Sequence, residues 1–335
     1  MGRRLGFATV TVVVAVTAAA CLPPRSTTTH PTTPPPTAHV FGPPAGARTG
    51  TENGALGSCT VFPPDNAWNT DVSSYPVSPN SANYIANILS SGNQNLHADF
   101  GGGGAYGIPY VTVGSGEPSV PINFTAYGDE SDPGPYPVPL GAPVEGGSAS
   151  DGDRHVLAVD TDACKLYELY RAFPQSDHWD ADSGAVFDLR SDALRPLGWT
   201  SADAAGLPIF PGLARYDEVT GGQINHALRF TVARTQKGYI LPATHYASSS
   251  TDPNRPPMGL RLRLKASFDI SHYTGEARVV LVALKKYGMI VADNGSNWYI
   301  SGASDPRWDD NDLNQLKTVP GSAFEAVDTG PIHTG

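Results

Sequence analysis

Residues 260–265 read Leu-Arg-Leu-Arg-Leu-Lys, the cleanest alternation in the chain. With a period of two, Leu260, Leu262 and Leu264 share one face of a strand, while Arg261, Arg263 and Lys265 share the other. The pattern fits a half-buried strand of an antiparallel sheet, leucines on a core and cations outside. Two uses of the cationic face follow. It is solvated beside neighbouring Asp or Glu, or it is a strip that holds a carboxylate- or sulfate-bearing glycan.

Short apolar segments recur on both sides of this one, at 108–113, 120–126, 155–160, 165–172, 185–189, 224–233 and 239–247, with turn residues between them. A chain with 36 glycines, 31 prolines and only 16% charged residues has many turns and few long helices. The expected fold is therefore mainly β: an antiparallel β-sandwich or jelly-roll-like domain with a few short helices. One helix opens at Ser78-Pro79 and places Ala82, Ile85, Ala86 and Leu89 on one face. A second carries the stripe Val279, Val280, Ala283, Leu284 and Tyr287, with Thr274 as its cap and Gly288 as its stop. Strands at 289–292 and 324–327 and a short helix at 309–317 complete the domain.

The amino terminus reads as an address. Arg3 and Arg4 precede an almost wholly apolar run, 5–20, which is a secretory signal sequence. The ending Ala18-Ala19-Ala20-Cys21 resembles a bacterial lipoprotein cleavage box, which makes Cys21 the lipid-bearing first residue of the mature chain. Ordinary cleavage after Ala20 is the alternative. Residues 22–58 are rich in Pro and Thr and form a disordered stalk, since they bury too little apolar surface to offset ordering entropy. Residues 59–335 form a single β-rich globular domain. The expected location is the outer face of the cell membrane as a lipoprotein, or secreted; the membrane is met through the lipid anchor only. In that oxidising setting Cys59 and Cys164 pair as a disulfide. The chain carries 22 Lys and Arg against 32 Asp and Glu, a net charge of −10, which excludes nucleic acid as a partner because that affinity rests on basic groups.

Chemistry is sought first among the histidines. In 224–232, His226 alternates onto the face of Ile224, Leu228, Phe230 and Val232, and in 239–247 His245 does so with Leu241 and Ala243. If 233–238 is a hairpin loop, His226 and His245 stand opposite each other, with His155 on a neighbouring strand. These imidazoles are candidate acid–base groups, with satisfied core histidines as the structural alternative. No HxH or HExxH spacing supports a metal, so no cofactor is expected, with a metal held by the imidazoles as the lesser alternative. Asp293 ends a buried strand with polar groups at its mouth and is a further acid–base candidate; an Asx turn with Asn294 is the alternative. Arg229 and Arg261 are placed to steady an anionic group. Trp68, Trp179, Trp199, Trp298 and Trp308 lie beside polar turn residues, so Trp68 and Trp298 are candidate sugar platforms, or else they plug the ends of the domain. No GxSxG, GxxxxGK[ST] or dinucleotide fingerprint is present.

The segments Asp-Asn-Ala-Trp-Asn-Thr-Asp from Asp65, Gly-Asp-Arg-His from Gly152, His-Ala-Leu-Arg-Phe from His226 and Tyr-Gly-Met-Ile-Val-Ala-Asp-Asn-Gly-Ser from Tyr287 resemble parts of exported bacterial β-rich proteins with no assigned activity. That resemblance implies no catalytic residue. Gln223-Ile224-Asn225-His226 is similar to the Gln-Ile-His segment of jelly-roll alginate lyases, interrupted here by Asn225. The expected function is a surface-tethered carbohydrate-active enzyme that cleaves an extracellular polysaccharide, by hydrolysis or as a lyase. The alternative is a non-catalytic glycan- or protein-binding surface module.

Overall fold

The structure is a computed structural model that describes residues 50–98 and 100–334. The signal sequence 1–21, Cys21 and the stalk as far as residue 49 lie outside the described residues. Residues 50–58, expected in the stalk, belong to the fold: Thr51–Glu52 pairs antiparallel with Tyr110–Val113, and the Asn53 amide donates to Ser304 O at 2.9 Å.

The protein is mostly sheet with few short helices, but the sheets are mixed, which corrects the purely antiparallel expectation. A five-stranded sheet runs in the order Thr51–Glu52, Tyr110–Val113, Val156–Asp160, Lys165–Tyr170, Ser183–Asp188. Its second and third strands are parallel. Val156–Asp160 is buried on both faces: Leu157 and Val159 join the main core, while Val156 and Ala158 join a smaller cluster with Trp179 and Ala181 of a three-stranded sheet. Parallel pairing inside a sheet goes with such double coverage, and that leaves an apolar run without alternation.

A six-stranded sheet follows the order Phe324–Ala326, Arg261–Leu264, Met289–Asn294, Leu228–Val232, Tyr299–Ile300, His97–Ala98. Leu228–Val232 pairs parallel with Met289–Asn294 and antiparallel with Tyr299–Ile300. The hairpin expected between 224–233 and 239–247 does not form. Pro242 has no N–H to give to a ladder, and 239–247 runs as irregular chain.

The alternating segment forms a strand, Arg261–Leu264, yet both of its faces are buried. Leu262 and Leu264 enter the core beneath the helix Gly275–Lys286. Arg261 and Arg263, expected on an open cationic face, are covered by the loop 67–75: Arg261 donates to Ala67 O and Thr70 O, and Arg263 to Val72 O and Tyr75 O. Carbonyls of the covering loop hold both guanidinium groups, and Arg263 also pairs with Glu325 on the adjacent strand, as expected of a cation beside a neighbouring Glu. Gly288 closes the helix at φ +68°, where a Cβ would fall 2.1 Å from Leu262 O. The first helix, Ser81–Leu89, turns Tyr84, Ile85 and Ile88 inward and leaves Ala82 and Ala86 exposed, a rotated face relative to the expected one.

Cys59 and Cys164 form a disulfide that spans 105 residues and ties the entry of the domain to the turn before Lys165–Tyr170. A loop of that length is worth about 4–5 kcal/mol in the chain-entropy model. Cys59→Ser with Cys164→Ser is expected to lower Tm by roughly 5–15 °C. Calorimetry checks this, and an unchanged Tm would count against the bridge as a stabilising clamp.

Candidate functional site

Three depressions, of about 250, 280 and 580 Å³, adjoin one another through shared lining residues. Asp153, Asp293 and Asn294 line both the first and the second. His245 lines both the second and the third. They form a groove with Asp293 on the wall between its first two segments.

A register shift places Asp293. Along the parallel pair, Arg229 lies opposite Ile290 and Phe230 opposite Val291, but Thr231 lies opposite Asp293. Ala292 is the surplus residue of this bulge. In unbroken register Thr231 would face Ala292, and Asp293 would turn to the other side of the sheet. The bulge brings Asp293 onto the face of Arg229 and Thr231.

Arg229, 5% exposed, is gripped by Asp203: Nε donates to Oδ2 at 2.7 Å and one terminal nitrogen to Oδ1 at 2.8 Å. The other terminal nitrogen donates to Ser301 Oγ at 2.8 Å, and Asp293 Oδ2 lies 3.4 Å from the guanidinium. The Asp203 side chain is fully enclosed, so this is a buried, bidentate pair. Burial, joined by the negative charge of Asp203, pushes the Asp293 carboxyl up to about 7 despite the pull of Arg229. A carboxyl balanced between its protonated and ionised forms at neutral pH can both give and take a proton.

His155 is 2% exposed, just before the strand Val156–Asp160. Its Nδ1 lies 2.6 Å from Glu145 Oε2 and its Nε2 3.0 Å from Ala202 O. Both neighbours accept, so both ring nitrogens carry hydrogen. Burial opposes the charge, but the contact with Glu145 outweighs it and holds the imidazole up at about 9. The same contact draws Glu145 below the usual carboxylate range against the effect of its burial. His155 is thus a fixed cation with no free nitrogen. It shapes the field of the groove but cannot take up a proton. Glu168 is completely buried, accepts from the backbone N–H of Ile209 and Phe210, and is pushed up to about 7 by burial.

Of the candidate residues, Asp293, His155, Arg229 and His245 are brought to the groove. His226 is not: it is 4% exposed, with Nδ1 2.7 Å from Ala227 O and Nε2 3.1 Å from Glu218 Oε2. His245 contacts Ala204 O at 2.7 Å instead. The expected His226–His245 pair is therefore corrected, because the two segments never form the ribbon that would align them. Arg261 lines a separate cavity. Trp68 and Trp298, expected as sugar platforms, are 1% and 0% exposed. Their rings fill the core, with Trp298 stacked on Phe230 and tilted against Phe324. Polar neighbours in sequence mark only the loops these rings anchor.

Aromatic surface in the groove comes from other residues. In the third segment Tyr239 stacks on Tyr246 at 6.4 Å and on His333 at 5.4 Å, while His245 lies flat against Tyr246 at 5.9 Å. Sequence reasoning missed Glu145, Asp153, Asp203, Tyr239 and Tyr246. Asp153 was within reach, as part of the Gly152-Asp153-Arg154-His155 string. Among the described residues no group of three or more His, Cys, Asp or Glu side chains is arranged to hold a metal ion. No family model, curated protein or solved structure matches the chain.

Proposed function

We propose that this chain is a surface-tethered carbohydrate-active enzyme that cleaves an extracellular polysaccharide, with Asp293 as its acid–base group. One observation carries the reading: the Asp293 carboxyl stands on the wall shared by two groove segments, held near neutrality beside the Arg229–Asp203 pair. Asp153 offers a second, exposed carboxyl on the same two segments. Two carboxyls in unlike surroundings are what glycosidic hydrolysis uses, one as acid and one as base or nucleophile. The partly exposed rings of Tyr246 and His333, set against the buried Tyr239, give pyranose rings an apolar contact one segment away.

The balance of charge favours hydrolysis of a neutral glycan over elimination from a uronate. Among the described residues lining these two segments, Glu145, Asp153, Asp203 and Asp293 stand beside two cations, Arg229 and His155, and each of these is already engaged by a carboxylate. Export and a lipid on Cys21 belong to the same proposal. They are supported by the basic, apolar and small-residue series at residues 3–21, and by a disulfide of the kind that persists in oxidising compartments. Among the described residues, no helix is long and apolar enough to cross a membrane.

Incubating the full chain with a panel of neutral and acidic polysaccharides tests the reading. New reducing ends are expected from a neutral glycan, without the absorbance of an unsaturated product. Retention on a glycan with no cleavage anywhere in the panel would replace this reading with the non-catalytic binding module; neither binding nor cleavage would overturn both.

A further inference from the structure

Arg195, Arg215, Arg229 and Arg263 are buried guanidinium groups, and each pairs with a carboxylate. Arg261, 3% exposed, meets no carboxylate within ion-pairing distance among the described residues. It donates to three carbonyls, one from each nitrogen: Tyr287 O, Ala67 O and Thr70 O. A guanidinium has five N–H bonds, so one remains on each terminal nitrogen. Arg154, also buried without a carboxylate, differs in that four carbonyls and the Phe173 ring surround it.

Ala67 and Thr70, the acceptors of the terminal nitrogens, line a cavity of about 210 Å³ together with Arg261 itself. The guanidinium therefore sits at that wall. Thr329 lines the same cavity, and its buried hydroxyl finds no hydrogen-bond partner among the described residues. An uncompensated cation and an idle hydroxyl at one cavity are two separate unmet demands, and buried polar groups without partners are costly. A single acceptor-rich, negatively charged guest meets both. The volume of the cavity limits the guest to a small one, and the exposed Asp65 at its wall can accept from a hydroxyl on that guest.

We propose that this cavity binds a small oxyanion, seated on the free N–H groups of Arg261 and receiving a hydrogen bond from the Thr329 hydroxyl. This site stands apart from the Asp293 groove, and its existence does not depend on any cleavage reaction. Burial presses the Arg261 guanidinium down to about 9, and a bound anion opposes that effect.

Thermal denaturation of the full chain, at fixed ionic strength in chloride, tests the site with sulfate, acetate, D-glucuronate and D-glucose. A saturable rise in Tm of several degrees is expected with at least one anion and not with D-glucose. Arg261→Met should abolish it, and Thr329→Val should weaken binding about tenfold. Thr329→Val exchanges the hydroxyl for a methyl group of similar size, so it decides the matter if Arg261→Met does not fold. A response to glucuronate alone assigns a sugar-borne carboxylate; equal responses to sulfate and acetate assign a free inorganic or organic anion. No anion exceeding the chloride control, an equal effect of D-glucose, or a shift that persists unchanged in both variants overturns the site.

Discussion

Asp293→Asn is expected to lower glycan cleavage by roughly 10²–10⁴-fold while the protein stays folded. The amide keeps the shape and the backbone bond from Asn294 N, but it cannot exchange a proton. The wild-type pH profile should carry the same signature. An acid that titrates at about 7 is protonated below neutrality, so turnover should fall with rising pH above it, about tenfold per unit. The effect on stability has the opposite sense to that of most carboxylates. Asp293 has its pKa raised from 3.8 to about 7 on folding, so the native state binds more protons than the unfolded chain between those values. Its contribution is fully present below about pH 4 and is lost as pH rises through about 7. An amide in its place does not titrate and would not suffer that loss. Asp293→Asn should therefore gain roughly 1–3 kcal/mol relative to wild type at about pH 8 and nothing at about pH 3. Equal cleavage by both proteins, or a pH profile flat through neutrality, would remove Asp293 from the chemistry.

Asp203→Ala should destabilise the protein by about 3–5 kcal/mol, because it strands the buried guanidinium of Arg229 with only the Ser301 hydroxyl and the more distant Asp293. A merely structural loss would stop there. Here a second change is expected: without the charge of Asp203, and with Arg229 free to turn to it, Asp293 becomes easier to ionise. The alkaline limb of the activity profile should move to lower pH by a unit or more. Denaturant unfolding measures the first effect, and initial rates across pH the second. A stability loss with an unmoved profile would leave Asp203 as a fold residue and nothing more. Asp203→Asn, which keeps the size of the side chain, should move the profile with less unfolding.

Much of the sheet was legible in the sequence because alternation and turn residues are local properties. The segments around 110–113, 156–160, 165–170, 183–188, 228–232, 261–264 and 289–294 all proved to be strands. Their partners were not legible. Whether Leu228–Val232 pairs with the next segment or with one sixty residues later depends on which loop covers which face, a long-range matter. The cationic face of Arg261 and Arg263 was misread for the same reason, since nothing local announces that residues 67–75 will cover it. Asp293 was recognised as a polar group at a strand mouth, but the bulge that aims it leaves no mark in the letters Val-Ala-Asp-Asn. His226 and the tryptophans showed the reverse failing: residue types that often serve chemistry here serve packing.

The surplus residue at Ala292 has a consequence for how this protein can vary. The aim of the carboxyl depends on which residue stands opposite Thr231, and with Ala292 set aside as the surplus residue that partner is Asp293. Met289, Ile290, Val291 and Ala292 are buried, so their side chains can change only within the volume the core allows. Deleting Ala292 would straighten the ribbon and still leave Asp293 opposite Thr231, whereas a slip that set Ala292 there would turn the carboxyl to the other face of the sheet and bring an apolar side chain to the groove.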